Sequence, residues 1–153
     1  MHDLNIITLF TPKSEIVYIS ENQSIRQAVE RMRAHSYTAV PVLSLDGAYL
    51  GTVCEGDFLY YLIDHGFSKE SFEDCNICEL IDRNRYHSIT VRSSMEEVLL
   101  RVLKANFVPV LDDRGLFMGI ITRRDVLNYT RRVNPRFLQF GALKSQSSKR
   151  SIK

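Results

Sequence analysis

The pattern of apolar and polar residues predicts the same series of elements in both halves of the chain. Short segments at 16–19 and 88–91 are β-branched and alternate, which is typical of strands. Capping boxes at Ser24 and Ser94 each open a helix with one apolar stripe. A strand, a glycine turn, another strand and a closing helix follow in each half. The chain therefore predicts two βαββα units.

The two halves also share sequence, which indicates an internal duplication. Residues 38–57 align with residues 106–125 at one constant spacing and without a gap. The alignment superimposes a Val-Pro-Val-Leu strand, a turn glycine, a second glycine and a final aspartate. Closing helices follow at about 57–65 and 124–132. Because each unit has one apolar sheet face, we expect an α/β (α+β) fold whose two repeats pack with pseudo-twofold symmetry into one module.

Length and composition predict an ordinary globular module. The chain has 153 residues, of which 44% are hydrophobic and 25% charged. No run of about 20 apolar residues predicts a transmembrane helix, and the N-terminus lacks the pattern of a secretory signal. The three cysteines are an odd number, which argues against a disulfide framework. We expect a cytoplasmic protein without membrane association.

The net charge of +2 hides an uneven distribution along the chain. From Arg131 onward there are seven basic residues and no acidic one, whereas the remainder carries 13 basic and 18 acidic residues. Residues 133–153 read as a basic, partly disordered, solvated tail. Binding of nucleic acid through the tail is the alternative, which the acidic body disfavours.

A polar sequence, Thr-Arg-Arg-Asp, stands at 122–125 between the last predicted strand and the last predicted helix. Thr122 and Asp125 have the spacing of a helix cap, in which side-chain oxygens accept hydrogen bonds from free backbone N–H groups. The same residues could form an anion site, since a helix start and two arginines favour negative charge. Both interpretations stay open on the spacing alone.

The x-x-Pro-Val-Leu strand, the Asp-Gly turn, the Gly-x-x-Thr-x-x-Asp ending and their recurrence resemble a tandem pair of CBS domains, the Bateman module. Within that family the chain is similar to small stand-alone pairs of Firmicutes that bind cyclic di-AMP, through SYTAVPV at 36–42 and Thr122-Arg-Arg124. The resemblance divides the chain into five segments: lead-in 1–15, first repeat 16–66, connector 67–86, second repeat 87–132 and tail 133–153.

The resemblance implies two clefts between the repeats, each usable by an adenine nucleotide. Carried over residue by residue, cleft one combines Ile16, Val17, Thr38, Ala39, Thr122, Arg123, Arg124 and Asp125. Cleft two combines Cys54, Glu55, Asp57, Ser88, Ile89, Asn106 and Phe107.

The side chains of cleft one suit a nucleotide on physical grounds as well. Asp125 can accept hydrogen bonds from ribose hydroxyls, and either arginine can bind a phosphate with charge-assisted hydrogen bonds. In cleft two, Cys54 is a poor cap and Glu55 stands where Arg123 stands. Two like charges about 4 Å apart cost roughly 4 kcal/mol at an effective dielectric near 20. We therefore expect cleft one to be the working site and cleft two to be weaker.

No pattern in the sequence predicts catalysis. Cys75 and Cys78 form an isolated C-x-x-C in the connector, where packing is the favoured interpretation over metal or redox use. No Ser-His-Asp or Cys-His grouping can be argued, so we expect neither an enzyme nor a cofactor. The leading hypothesis is a homodimeric sensor of cyclic di-AMP, AMP or ATP that modulates an unknown partner protein. The alternative is a structural adaptor dimer with vestigial clefts.

Overall fold

The computed structural model describes residues 6–82 and 86–133, so the predicted tail lies almost wholly outside the described residues. Its strands are β1 (Phe10–Pro12), β2 (Ile19–Ser20), β3 (Ala39–Leu43), β4 (Tyr49–Cys54), β5 (Ile89–Thr90), β6 (Phe107–Leu111) and β7 (Phe117–Thr122). Its α-helices are α1 (Ile25–His35), α2 (Glu55–His65), α3 (Lys69–Glu73), α4 (Met95–Val102) and α5 (Arg123–Val133). Short 3-10 helices cover Ile6–Leu9, Lys13–Glu15 and Ile77–Leu80.

Two sheets repeat one topology. In the first repeat β2 pairs in parallel with β3, and β3 pairs antiparallel with β4; in the second, β5, β6 and β7 do the same. Both antiparallel pairs carry a register shift at the same place, after Val42 and after Val110. Ser24 forms the predicted capping box with Gln27, whereas Ser94 caps its helix through its own side chain only. The predicted fold of two βαββα repeats is confirmed.

The lead-in crosses to the sheet of the second repeat. Strand β1 runs antiparallel to β7, with Thr11 opposite Ile120, so the four-stranded sheet has the order β1-β7-β6-β5. Gly119 makes this approach possible, because a Cβ atom there would lie 2.1 Å from the Thr11 carbonyl oxygen. The lead-in thus brings residues that follow it, including Ile16, to the boundary between the repeats.

Each repeat has its own apolar core, and a small third cluster joins them. The first core includes Ile19, Val42 and Val53, and the second includes Ile89, Val110 and Ile121. The third cluster consists of Tyr86, Ala105 and Phe107, packed against Ala39, Cys54 and Ile120. Since its members come from both repeats, the third cluster is a contact surface between them. The repeats also meet at their turns, where the Phe117 N–H donates to the Gly47 carbonyl over 2.9 Å.

Strand pairing corrects one detail of the predicted duplication. Matching the alternating segments 16–19 and 88–91 end to end makes Ser88 the counterpart of Ile16. In the structure Ile19 pairs with Val42 and Ile89 pairs with Val110, so Ile19 and Ile89 are the equivalent positions. The strands themselves shorten to Ile19–Ser20 and Ile89–Thr90. By this register the counterpart of Ile16 is Tyr86, not Ser88.

The connector packs on the first repeat. The Ile25 N–H donates to the Cys75 carbonyl and the Ile77 N–H to the Gln23 carbonyl, each over 3.0 Å. The Ile77 side chain is fully buried in the first core, and the thiol of Cys75 accepts a hydrogen bond from the Tyr61 hydroxyl. Within residues 6–82 and 86–133, no group of three His, Cys, Asp or Glu residues could hold a metal ion. No helix in the same ranges is long and apolar enough to cross a membrane.

Candidate functional site

A cavity of about 560 Å³ opens between the two repeats, beside the start of α5. It draws on β1 and the segment after it, on the end of α1 and the start of β3, and on β6, β7 and α5. Seven of the eight residues predicted for cleft one line it: Ile16, Val17, Thr38, Ala39, Thr122, Arg124 and Asp125. Its other lining residues are Thr11, Glu15, Ser36, Tyr37, Val40, Pro41, Asn106, Phe107 and Ile120.

Thr122 and Asp125 form a cap at the start of α5. The Asp125 N–H donates to the Thr122 hydroxyl oxygen over 3.1 Å, and that hydroxyl donates to the Asp125 carboxylate. The Arg123 N–H donates to the Asn106 carbonyl over 2.9 Å, which holds the helix start against β6. Because both side chains also line the cavity, the capping interpretation and the site interpretation apply to the same residues.

The two arginines point to different places. Arg124 is exposed and lines the cavity. The Arg123 guanidinium donates from Nε to the Val102 carbonyl over 2.7 Å and lines an apolar groove between α4 and α5 instead. The two side chains therefore reach different surfaces, and of the pair only Arg124 lines the cavity. The structure does not bring the Arg123 side chain into cleft one.

The wall opposite α5 combines an apolar surface with an aromatic ring. Ile16, Val17 and Ala39 are half-buried, and Tyr37 lies beside them with 41% of its surface exposed. The Tyr37 ring stacks on His35, with ring centroids 5.7 Å apart. Such a wall can accept a flat heterocycle. Sequence reasoning passed over Tyr37, although its position next to Thr38 in SYTAVPV could have indicated it.

Two residues assigned to cleft two lie at cleft one. Asn106 and Phe107, at the start of β6, line the 560 Å³ cavity together with Ile120. They reach it because β6 lies beside β7, whose end forms the cavity wall. Thr11 and Glu15 also line it, because β1 pairs with β7. Thr11 and Glu15 reach the cavity only because β1 joins the sheet of the second repeat. No local pattern in the sequence could have shown this.

Packed side chains occupy the part of predicted cleft two around Cys54, whereas a separate cavity of about 530 Å³ opens beside His87 and Phe107. Tyr86 is only 7% exposed, and the centroid of its ring lies 5.0 Å from the ring centroid of Phe107. Its hydroxyl oxygen accepts a hydrogen bond from the Cys54 thiol over 3.6 Å. Asp57 accepts from the Cys54 N–H over 2.7 Å and so caps α2. Ile89 is buried in the second core, next to a half-buried Ser88. The structure thus keeps Ser88 and Ile89 out of the cavity that holds Asn106 and Phe107.

Comparison with known proteins identifies the repeats. The family model of the CBS domain matches residues 7–64 and 78–132. A CBS domain protein from Streptococcus pneumoniae has the same fold, with a TM-score of 0.78, 26% identity and coverage of 83% of this chain and 86% of that one. CbpB of Listeria monocytogenes, solved with c-di-AMP, has a TM-score of 0.77 and 18% identity, and the match covers 85% of this chain and 97% of that one. CBSX2, solved with AMP, has a TM-score of 0.69 and 20% identity, and the match covers 84% of this chain and 97% of that one.

Two curated relatives are much longer than this chain. The chain is 24% identical over 112 residues to a homoserine O-acetyltransferase of Methanococcus vannielii, which is 72% of this chain but 22% of that protein. It is 28% identical over 125 residues to YrkA of Bacillus subtilis, 78% of this chain and 27% of that protein. The chain therefore spans about a quarter of the length of these two relatives. With both repeats matched by the family model, the chain belongs to the CBS domain family as a tandem pair of CBS domains.

Proposed function

We propose that this CBS pair is a non-catalytic regulatory module that binds an adenine nucleotide in cleft one, with cyclic di-AMP as the favoured ligand and AMP and ATP next. The observation that carries the proposal is the 560 Å³ cavity, in which Asp125, Arg124 and the start of α5 face an apolar and aromatic wall. Similar folds solved with c-di-AMP and with AMP support the ligand class. Binding modulates a partner protein in the cytoplasm.

Each part of a nucleotide has a counterpart in the lining. The Asp125 carboxylate accepts hydrogen bonds from ribose hydroxyls, and the Arg124 guanidinium binds a phosphate. The positive end of the α5 dipole adds a favourable field for the anion. The base lies against Ile16 and Ala39 or on Tyr37, where Thr38 can read its polar edge.

Charge in the cavity favours ligands with few phosphates. Arg124 is the one cation among the described lining residues, whereas Glu15 and Asp125 are acids. Glu15 is exposed, so water and salt screen its repulsion of a phosphate without abolishing it. ATP carries more negative charge than cyclic di-AMP or AMP and suffers more from this repulsion. The charge balance therefore supports cyclic di-AMP ahead of ATP.

A thermal-shift panel tests the proposal. AMP, ADP, ATP, cyclic di-AMP and S-adenosylmethionine are each added to the protein and to Asp125→Ala. A ligand specific to the folded state stabilises it by RT ln(1 + [L]/Kd), which is about 2.7 kcal/mol at a concentration of one hundred times Kd. We expect the largest shift with cyclic di-AMP and a much smaller one in Asp125→Ala. The absence of any shift at millimolar nucleotide would refute nucleotide sensing and leave the adaptor hypothesis.

The homodimer expected from the sequence is part of the proposal. Exposed apolar side chains lie on α2 (Leu59, Tyr60, Ile63), and an apolar groove of about 540 Å³ runs between α4 and α5. Helix α2 has acidic residues in its first turn, whereas α5 carries four arginines and one aspartate. Packing α2 of one copy into the α4/α5 groove of the other covers both apolar surfaces and brings the acids of α2 near the arginines of α5, with Glu96 of α4 as one acid in the groove. A twofold axis repeats the contact.

Sedimentation velocity tests this dimer. Ile63→Glu places a carboxylate in the proposed interface, beside the exposed Leu59. We expect the variant to sediment as a monomer, whereas Leu45→Glu, at a similarly exposed residue on the β3–β4 turn, sediments as the protein itself does. A monomeric parent protein at micromolar concentration would contradict the dimer without affecting the nucleotide proposal.

A further inference from the structure

The register of the first strands places a tyrosine where the working cleft has an isoleucine. Ile19 and Ile89 pair with equivalent valines, so Ile16 and Tyr86 stand at equivalent places before them. Ile16 lines the open cavity of cleft one. Tyr86 lies instead in the packed cluster between the repeats. Phe107 likewise stands at the position of Ala39, so two larger side chains, Tyr86 and Phe107, distinguish this place from the open cleft.

Contacts on several sides hold the Tyr86 ring in place. It packs on Phe107, its hydroxyl oxygen accepts from the Cys54 thiol, and its backbone carbonyl accepts from the Tyr49 hydroxyl over 3.4 Å. Tyr49 also shares a hydrogen bond of 2.8 Å with the Thr52 hydroxyl. Tyr86 is therefore held in a defined position at the contact surface between the two repeats.

The residues around Tyr86 retain one half of the recognition chemistry. Asp57 is the counterpart of Asp125, so an acceptor for ribose hydroxyls is present. Gly56 and Glu55 stand at the positions of Arg124 and Arg123, so the cation for a phosphate is replaced by a carboxylate and a glycine. An open cleft two would suit a nucleoside and disfavour a nucleotide.

We propose that Tyr86 is the specificity-determining residue that limits this chain to one nucleotide site, and that shortening it opens a second site for an uncharged adenine nucleoside. Tyr86 packs between the repeats at the position whose counterpart, Ile16, lines the open cavity of cleft one. The inference rests on the proposed function only for the role of the aspartate, which it transfers from Asp125 to Asp57.

Equilibrium dialysis with radiolabelled adenosine tests the inference in the Asp125→Ala background, in which cleft one lacks its ribose acceptor. Tyr86→Ile introduces the side chain found at position 16, and Tyr86→Phe keeps the ring as the matched control. We expect one adenosine per chain with Tyr86→Ile and none with Tyr86→Phe. AMP should bind to the Tyr86→Ile protein at least tenfold more weakly than adenosine, and adding Asp57→Ala should remove adenosine binding.

The results separate this inference from the proposal for cleft one. Folding of each variant is checked by a cooperative thermal transition, and Tyr86→Leu replaces Tyr86→Ile if the latter does not fold. A folded Ile or Leu variant that binds no adenosine overturns the inference, as does binding by the Phe variant or failure of both shortened variants to fold. If the parent protein binds no cyclic di-AMP, the proposal for cleft one fails, while adenosine binding to the opened cleft still stands as a separate result.

Discussion

The Thr122 hydroxyl accepts a hydrogen bond from the Asp125 N–H and donates one to the Asp125 carboxylate. Both side chains are half-buried at the mouth of the cavity. The cap therefore holds the carboxylate that a ribose would contact in a defined position before any ligand arrives. A preorganised acceptor loses less conformational entropy on binding, which favours affinity.

Replacing Thr122 by valine should lower stability. The change removes the cap acceptor for the Asp125 N–H while keeping the β-branched shape. Loss of an N-cap costs about 1 kcal/mol, which corresponds to a fall in Tm of roughly 2–4 °C for a chain of this size. Thermal unfolding followed by circular dichroism measures it, with Thr122→Ser as the control that keeps the hydroxyl. Equal Tm values for Thr122→Val and Thr122→Ser would show that the cap contributes nothing.

Arg124→Ala and Arg123→Ala should separate binding from stability. Arg124 is exposed at the cavity, so its loss should weaken cyclic di-AMP binding by about 10- to 100-fold, the value of a charge-assisted hydrogen bond, with little change in Tm. Arg123 donates to the Val102 carbonyl outside the cavity, so its loss should lower Tm and leave Kd within about threefold. Titration calorimetry gives both Kd values. The reverse order of the two affinities would contradict the geometry of the site.

Sequence reasoning could not choose between these two arginines. Thr-Arg-Arg-Asp shows that a helix begins there, but the direction of each side chain depends on how the helix packs. The N–H of Arg123 bonds to the Asn106 carbonyl at the start of the neighbouring strand β6, which sets the rotation of α5. Strands β6 and β7 separate these two partners along the chain, so the contact belongs to the tertiary structure.

Gly119→Ala should destabilise the protein more than Gly115→Ala. A Cβ at Gly119 would lie 2.1 Å from the Thr11 carbonyl oxygen and 2.6 Å from the Phe10 ring, so β1 would have to move. Overpacking of this kind costs typically about 1–3 kcal/mol. Gly115 has φ of +82° but open space around it, so alanine there costs about 1 kcal/mol through backbone strain alone.

Urea unfolding of the two glycine variants measures the difference. If Gly119→Ala is no less stable than Gly115→Ala, the pairing of β1 with β7 in the second sheet is wrong. The placement of Thr11 and Glu15 at the cavity would then be wrong as well.

Asp112 should make stability depend on acid pH. The Leu116 and Arg114 N–H groups donate to its carboxylate over 2.8 Å each and hold its pKa below the ordinary value of 3.8. A carboxyl with a lowered pKa in the folded state stabilises the fold above its unfolded pKa, and loses that contribution as pH falls through the folded pKa. The stability difference between the protein and Asp112→Asn should therefore be full at pH 7 and shrink below about pH 4.

Chemical unfolding at a series of pH values gives this difference directly. A gap between the two proteins that stays constant from pH 7 to pH 3 would contradict a charge-dependent role for Asp112. Asp113→Asn is the matched control, because Asp113 is the next residue in the same turn and its carboxylate pairs only loosely with Arg92, over 3.3 Å at an exposed surface.

The two repeats could be predicted from the sequence. Which residue of the first strand in one repeat corresponds to which residue in the other could not. The Val-Pro-Val-Leu strands and the turn glycines recur at one constant spacing, so the pattern identified the fold. In the alternating segments 16–19 and 88–91, a shift by one full alternation leaves the same faces apolar, because side chains in a strand have a period of two. Only the pairing of Ile19 and Ile89 with their valines decides the register. That pairing also revealed Tyr86, which no local signal marked.

The central claim is that a nucleotide binds between the repeats at the start of α5. Calorimetric titration of cyclic di-AMP into the protein and into Asp125→Asn tests it most directly, because asparagine keeps the size of the side chain while weakening its acceptor. We expect saturable binding with one ligand per chain, and at least a tenfold rise in Kd for Asp125→Asn. Equal affinity for the two proteins, or no heat of binding in either, would contradict the account.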